Sequence, residues 1–252
     1  MIIGVGRWMW MEKVFQQFAQ QNPNVSDIEF IEKGFAHINF DLAFEKGVEN
    51  IPASGRVIVI ANHPLGYLDG VGLLKAISAV RPDVKMLVNT ALHNMLNMKQ
   101  HTVAVDSFHG RLTKSSYATI KKHMQQEGVL VIFPSGLVSR RINGEITDLP
   151  WSSSFLRFAD DFNAQVLPIY IDGKNSNAFY WLSRLTDPFA KSVLIVRELV
   201  MMKLLREVFS VQVNQRVKAY IGKSVALTDE RLVDLSTEQK TAWFRQRLYA
   251  LK

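Results

Sequence analysis

The sequence predicts an α/β protein, a single domain whose mostly parallel sheet is covered by helices on both faces. Short β-rich runs alternate with segments of helical spacing along most of the 252 residues, the order expected of a parallel sheet with helical crossovers. The run 56–61 (RVIVIA) is continuously apolar, which is typical of a strand buried on both faces. No linker rich in Pro, Gly or Ser and no repeat interrupts the alternation, so we expect one core.

Each predicted element has its own signal in the chain. Strands are predicted where β-branched and other apolar residues form short runs, at 56–61, 85–88, 102–105, 129–133, 165–171 and 216–221. Helices are predicted where apolar residues recur at helical spacing, at 71–80, 112–126, 153–162, 194–208 and 237–250. Arg81-Pro82-Asp83 ends the first helix. Pro168 is unusual for a central strand, so a special loop geometry is expected around it.

The composition favours a globular protein with an anionic partner. Hydrophobic residues make up 48% of the chain, which is enough for a core, and the net charge is +7. Such a charge favours nucleic acid, a phospholipid surface or a phosphorylated substrate. The absence of cysteine excludes disulfides and thiolate chemistry. No run of ~18 uninterrupted apolar residues occurs, so no conventional transmembrane helix is expected.

Residues 1–30 are predicted to form an N-terminal amphipathic helical segment in front of an α/β domain at 31–252. The first 21 residues contain no signal-peptide cleavage pattern. They combine aromatic and basic side chains, namely Trp8, Trp10, Phe15, Arg7 and Lys13. This composition suits a membrane interface, and packing of the helix against its own domain is the alternative. The same two interpretations apply to the apolar helix predicted at 194–208.

The segment after the first strand, residues 62–70 (NHPLGYLDG), places a histidine and an aspartate in a tight loop. In sheets of this kind, ligands bind where the strands end. Pro64 fixes one backbone dihedral angle and Gly66 permits a close turn, so the loop has a defined shape. A histidine held by a carboxylate can take a proton from a hydroxyl. His63 and Asp69 are therefore candidate catalytic residues, and a purely structural role is the alternative.

Three further loops at strand ends carry polar residues that an apolar core does not need. Residues 105–111 end in Arg111, near a predicted helix N-terminus where anions are favoured. Residues 133–141 (FPSGLVSRR) carry two arginines, and residues 167–176 leave a strand through the polar sequence DGKNS. Taken singly, each loop is equally compatible with an ordinary turn or a solvated surface charge.

In this order the motifs resemble those of the glycerolipid and lysophospholipid acyltransferase family, which includes 1-acylglycerol-3-phosphate acyltransferases. That family has a His–Asp motif, an arginine-bearing loop, a Phe-Pro-x-Gly block and a strand with a central proline, and all four occur between residues 56 and 176. The forms NHPxGxxDG, FPSGLVSR and GKNS, with RELVMMKLLRE at 197–207, resemble most the hemolysin-like branch linked to ornithine-lipid synthesis.

Two features depart from the commonest pattern of that family. Five residues separate His63 from Asp69, where the commonest motif has four. Ser135 and Leu137 stand where a glutamate and a threonine are usual. The spacing alone therefore does not establish a contact between His63 and Asp69.

The resemblance implies a glycerol-phosphate acyltransferase-like fold and an O-acyltransferase of membrane lipid synthesis. The enzyme would move a fatty acyl group from acyl carrier protein or a coenzyme A thioester to a hydroxyl of a lyso-lipid, either a lysophospholipid or a lyso-ornithine lipid. His63 would act as general base and Asp69 would orient its ring. The other matched positions would bind substrate: Asn62, Gly66, Arg111, Phe133, Pro134, Ser135, Gly136 and Arg140.

The resemblance also implies the setting of the reaction. Backbone N–H groups of residues 133–136 are candidate donors to the oxyanion of the intermediate. No metal or other cofactor is implied. The protein would be peripheral, at the cytoplasmic face of the inner membrane, with an anionic membrane surface as partner and no nucleic acid.

Three other classes of protein are alternatives to an acyltransferase. A serine hydrolase would need a Gly-x-Ser-x-Gly elbow, which the sequence lacks. A nucleic-acid-binding module would concentrate the basic residues, which are scattered here. A catalytically inactive relative that binds membrane lipid through the same fold is the remaining alternative.

Overall fold

The computed structural model describes residues 21, 25, 27–90, 93, 99–105, 112–186, 207 and 211–252. Three predictions fall mainly outside these residues. They concern the aromatic and basic side chains of segment 1–20, the loop that contains Arg111, and the helix predicted at 194–208, of which Glu207 alone is described.

Seven of the described strands form one sheet. The strands of the chain are β1 Asp41–Lys46, β2 Val57–Ala61, β3 Val84–Asn89, β4 Thr102–Val105, β5 Val129–Ile132, β6 Arg140–Ile142, β7 Glu145–Thr147, β8 Gln165–Asp172 and β9 Arg216–Ile221. The order in the sheet is β1-β9-β8-β2-β5-β3-β4, and β6 and β7 form a separate hairpin. All neighbouring pairs of the sheet are parallel except β8 and β9. The predicted mostly parallel sheet is confirmed.

Helices lie on both faces of this sheet, as predicted. The described helices are α1 Asp27–Ile38, α2 Tyr67–Ser78, α3 Lys114–Gln125, α4 Ser154–Asp161, α5 Asn177–Thr186, α6 Glu230–Val233 and α7 Thr237–Tyr249. In the described ranges, no helix has both the length and the apolar character needed to cross a bilayer.

The central strand β2 shows how both faces are covered. All five of its residues are buried. Val57, Val59 and Ala61 belong to one hydrophobic cluster with residues of α1 and α2, and Ile58 and Ile60 belong to a second with residues of α3, α4 and α7. Because successive side chains of a strand point to opposite faces, each cluster fills the space between one face and its helices.

Helix α1 and strand β1 were not predicted from the sequence. Phe30, Ile31 and Phe35 of α1 are buried, so this helix is part of the core of the domain. It crosses the boundary predicted between residues 30 and 31. The division of the chain into an N-terminal segment and a domain stays a prediction.

The special loop geometry expected at Pro168 is wrong, because this residue lies inside β8, an internal strand paired with β2 and β9. Regular pairing with β9 covers only the part of β8 from Ile169 onward. Before that point Val166 exchanges hydrogen bonds with Val225, at 2.8 and 2.9 Å, and the Pro168 carbonyl accepts the N–H of Gly222 at 2.9 Å. Proline is tolerated because the pairing is interrupted where its N–H is missing.

Candidate active site

Three loops meet at the carboxyl ends of β2, β5 and β8. β2 pairs in parallel with β5 on one side and with β8 on the other, so the three strands end at the same edge of the sheet. The loops that leave them are residues 62–66, 133–139 and 173–176. This edge is where open α/β sheets bind their ligands, and it brings together three of the four loops singled out in the sequence.

Asp69 was predicted in a loop, but it lies in the first turn of α2. The helix begins after Gly66, whose φ of +80° is accessible mainly to glycine. The Asp69 Oδ2 atom accepts the N–H of Leu65 at 2.8 Å and that of Gly66 at 3.0 Å. Because the first N–H groups of a helix lack partners within the helix, this carboxylate caps α2 and starts it four residues before the predicted position.

His63 and Asp69 are in contact despite the five residues between them. The His63 Nδ1 atom lies 3.1 Å from Asp69 Oδ2, and the imidazole stacks on the Phe133 ring with a centroid distance of 4.0 Å. When Asp69 is ionised, its carboxylate only accepts hydrogen bonds, so Nδ1 then carries the hydrogen and Nε2 keeps its lone pair. Within the described residues Nε2 has no hydrogen-bond partner, and the side chain is 18% exposed. The pair has the geometry of an oriented general base.

Opposing effects act on the pKa of Asp69. Its side chain is completely buried, and burial, the larger effect, raises the pKa of the carboxyl above its ordinary value. The hydrogen bonds from His63, Leu65 and Gly66 act in the opposite direction. The second oxygen, Oδ1, is buried without a hydrogen-bond partner among the described residues. Ionisation of Asp69 therefore costs free energy in the folded protein.

Three hydrogen bonds hold the backbone around His63. The His63 N–H donates to Asp148 Oδ1 at 3.1 Å, and the His63 carbonyl accepts the N–H of Ser139 at 2.7 Å. The next carbonyl, that of Pro64, accepts from Asn175 Nδ2 at 2.9 Å. Asp148 was not singled out from the sequence. Ser139 and Asn175 were noted only as members of the loops 133–141 and 167–176, without a role of their own.

Asn62 and Gly66, predicted to bind substrate, have structural partners. The Asn62 side chain is buried and forms two hydrogen bonds with the backbone of Ile171, accepting its N–H at 2.7 Å and donating to its carbonyl at 2.9 Å. It thereby joins β2 to β8 one residue beyond the end of β2. Gly66 begins α2 and donates to Asp69. A further role of either residue in substrate binding stays a prediction.

The block Phe133-Pro134-Ser135-Gly136 forms a tight turn, and its backbone restricts which groups can donate to an oxyanion. The Gly136 N–H donates to the Phe133 carbonyl at 3.0 Å, and Pro134 has no N–H. The Ser135 hydroxyl donates to the carbonyl of Leu137 at 2.7 Å. The backbone N–H groups of Phe133 and Ser135 are therefore the donors of this block that remain to be considered.

Arg140 lies in β6 rather than in the predicted loop, and its side chain is buried. Its guanidinium donates to the carbonyls of Val138 and Ser139 and lies 5.7 Å from the centre of the Phe179 ring. These contacts attach the β6–β7 hairpin to α5. Binding of an anionic substrate group by Arg140 stays a prediction, as does the same role for Arg111, which lies outside the described residues.

The next residue, Arg141, is exposed. Its guanidinium lies 5.1 Å from the centre of the Tyr180 ring, and the Tyr180 hydroxyl accepts the N–H of Asn175 at 3.0 Å. A cation near the site is therefore supported by an aromatic face. The sequence could not distinguish this arginine from its buried neighbour.

An α/β sheet that presents a paired histidine and aspartate at its carboxyl edge defines a site suited to general-base chemistry. The family model described as Acyltransferase matches residues 11–252, and the chain belongs to the acyltransferase family. The family predicted from the order of the motifs is confirmed.

Two curated relatives are each named lyso-glycine lipid O-acyltransferase. The relative from Phocaeicola vulgatus is 28% identical over 169 residues, which are 67% of this chain and 60% of the relative. The relative from Bacteroides thetaiotaomicron is 29% identical over 206 residues, which are 79% of this chain and 74% of the relative. The chain thus matches less than two thirds of the length of the first relative.

A solved structure shares the fold. The crystal structure of the 1-acyl-sn-glycerophosphate acyltransferase from Thermotoga maritima aligns with a TM-score of 0.54 over 98% of this chain and 85% of the other, at 17% identity. The predicted acyltransferase-type α/β fold is confirmed by this match.

The substitution Asp69→Asn should stabilise the fold at neutral pH. Because burial raises the pKa of Asp69 in the folded protein, the wild type loses stability as the pH rises from about 4, the pKa of an unfolded aspartate, through the folded-state value. Asparagine does not ionise and keeps an oxygen for the N–H groups of Leu65 and Gly66. Urea unfolding across this range should give a stability gain that is absent at acidic pH and grows toward neutral pH.

The matched control for this experiment is Asp160→Asn, which removes a carboxyl from the exposed side of α4. A stability deficit of Asp69→Asn that is largest at neutral pH would show that the ionised carboxylate stabilises the fold, contrary to this account.

Proposed function

We propose that the protein transfers a fatty acyl group from an acyl thioester to a hydroxyl of a lyso-lipid. The observation that carries this proposal is the His63–Asp69 pair, whose Nε2 has no hydrogen-bond partner among the described residues at the edge where β2, β5 and β8 end. The relatives named lyso-glycine lipid O-acyltransferase support the same chemistry.

In the proposed reaction His63 Nε2 takes the proton of the acceptor hydroxyl as its oxygen attacks the thioester carbonyl. The tetrahedral oxyanion then expels the thiolate, which receives the proton from the imidazolium and leaves as the free thiol. Asp69 keeps the ring in place and stabilises the imidazolium. Positioned base catalysis accounts for roughly 10²–10⁴-fold of the rate, and no cofactor enters the steps.

The remaining rate enhancement is assigned to alignment and to oxyanion donors. The Phe133 ring covers one face of the imidazole and limits its rotation. The N–H of Ser135 or of Phe133 is the proposed oxyanion donor, in a turn held by the hydrogen bond between Gly136 and Phe133.

The acceptor we propose is a lyso-lipid with an anionic group. The acceptors to be tested are lysophospholipid, lyso-ornithine lipid and lyso-glycine lipid. The third is included because the relatives are named lyso-glycine lipid O-acyltransferase. Arg141 is an exposed cation on the hairpin that follows the Phe133 block and is suited to such a group. Acyl carrier protein and coenzyme A are both proposed donors.

The substitution His63→Ala tests the reaction. Purified protein is incubated with a labelled acyl thioester and a lyso-glycine lipid or lysophospholipid, and the diacylated product is measured by mass spectrometry. We expect the variant to lose at least ~10²-fold in kcat and to remain folded, because His63 lies in a loop at a strand end and is partly exposed.

The control is His37→Ala, which changes an exposed histidine of α1 and should retain full activity. An active wild type whose His63→Ala variant turns over at a similar rate would contradict the catalytic assignment. A wild type that binds the lipids without any turnover would support an inactive, lipid-binding relative instead.

The proposed setting is the surface of an anionic membrane on the cytoplasmic side. On α5, Trp181 is 66% exposed, while Phe179 and Tyr180 pack against the loop that follows β5. Leu137, in the same loop as the Phe133 block, is 40% exposed, and Arg141 lies over Tyr180. Exposed tryptophan beside a basic residue suits the headgroup region of a bilayer. The N-terminal segment 1–20 remains a second proposed contact.

The substitution Trp181→Ser should weaken binding to phosphatidylglycerol-containing vesicles roughly tenfold, which corresponds to ~1.4 kcal/mol of lost apolar burial. Sedimentation with the vesicles measures this change. The control Val233→Ser removes a 58% exposed apolar side chain from α6 and should bind as the wild type does. Equal loss in both variants, or no loss in either, would remove α5 from the proposed contact.

A further inference from the structure

A second buried carboxylate, Asp148, lies beside the candidate site. It follows β7 and is 1% exposed. Its Oδ1 atom accepts the backbone N–H of His63 at 3.1 Å and the hydroxyl of Ser139 at 2.5 Å. Its Oδ2 atom accepts the indole N–H of Trp151 at 2.9 Å. One side chain thus binds three residues, of which His63 and Ser139 belong to the loops after β2 and β5.

Asp148 is itself held in place from the C-terminal helix α7. Its backbone N–H donates to the Tyr249 hydroxyl at 2.9 Å, and its carbonyl accepts from Arg245 at 2.9 Å. Burial, together with the charge of Asp148, raises the pKa of Tyr249, which keeps the phenol protonated. The carboxylate therefore has a fixed backbone behind it.

The contacts of Asp148 close a ring around the backbone of His63. Asp148 binds the His63 N–H, Ser139 binds the His63 carbonyl through its own N–H, and the Ser139 hydroxyl binds Asp148. Because the peptide groups on both sides of the His63 Cα atom are held, the side chain starts from a fixed position. Asp69 and Phe133 set only the orientation of the imidazole. The position of its Nε2 atom therefore also depends on the cycle of hydrogen bonds among His63, Ser139 and Asp148.

We propose that Asp148 is a positioning residue that places the His63 imidazole for proton transfer, a role that rests on the proposed function of His63. Asp148 touches no reacting atom and acts through the backbone of His63. A purely architectural Asp148 would affect stability alone. If Asp148 positions His63, its substitution also lowers the kcat of the folded protein, with little effect on the KM of the acceptor.

The substitution Asp148→Ala should therefore lower kcat roughly 10²-fold, the effect of misplacing a catalytic group by about 1 Å, and leave the acceptor KM within about twofold. The control Trp151→Phe removes one hydrogen bond to Asp148 without touching His63 and should keep kcat. Equal kcat in these two variants, measured where both are folded, would overturn the proposal.

A matched pair in the Trp151→Phe background isolates the hydrogen bond to His63. With the indole gone, Asp148→Asn can direct its amide oxygen to the His63 N–H, whereas Asp148→Ala cannot. We expect Asp148→Asn/Trp151→Phe to recover most of the wild-type kcat and Asp148→Ala/Trp151→Phe to recover none. If the alanine variants do not fold, kcat of Asp148→Asn should still rise when Trp151→Phe removes the competing donor, and no rise would overturn the proposal.

Hydrogen–deuterium exchange at the His63 amide of the wild type provides a readout without catalysis. We expect this N–H to exchange as slowly as the amides of β2, because it is bonded to a buried carboxylate. Exchange as fast as that of an exposed loop would overturn the positioning role. If the His63 amide is protected but the protein has no acyl-transfer activity, the proposed function is wrong and the fixed backbone of His63 is not.

Discussion

The backbone of His63 is held on both sides of its Cα atom, and the rest of the site depends on this constraint. Its N–H is bound by Asp148 and its carbonyl by Ser139, while Asn175 binds the carbonyl of Pro64. These three partners come from the loops after β7, β5 and β8, so a residue beyond the end of one strand is fixed by segments far away in sequence. Orientation of the ring by Asp69 is useful for catalysis only because its point of attachment does not move.

The same arrangement explains why a costly group is retained in the core. Asp69 is buried with one oxygen bonded three times and the other without a partner in the described part of the chain. Burial raises its pKa, so the ionised form opposes folding. The carboxylate nevertheless caps α2 and fixes the tautomer of His63, two roles that an apolar residue could not fill. Local instability of this kind is common where function requires a charge.

Local sequence patterns predicted much of this structure, and contacts between distant segments account for what they missed. The alternation of β-rich runs and helical segments sufficed to predict the parallel sheet. The order of the motifs singled out His63 and Asp69, but the spacing left open whether the two side chains are in contact. The β6–β7 hairpin was missed although Asn143 and Gly144, both with positive φ, are typical of a tight hairpin turn. Asp148 carries no local signal, because its partners are up to 101 residues away. Arg140 could not be distinguished from a surface charge until its contact with Phe179 was known.

His63 presents an Nε2 atom without a proton because Asp69 holds the hydrogen of its Nδ1 atom, and ¹⁵N NMR of the imidazole tests this most directly. In neutral His63, identified by comparison with His63→Ala, the account predicts a protonated, pyrrole-type Nδ1 and an unprotonated, pyridine-type Nε2. Asp69→Asn should weaken this preference without reversing it, because the amide oxygen that caps α2 still accepts the Nδ1 hydrogen but carries no charge. The opposite tautomer in the wild type, with the proton on Nε2, would contradict the account, because that ring could not accept the proton of an acceptor hydroxyl at the open edge of the sheet.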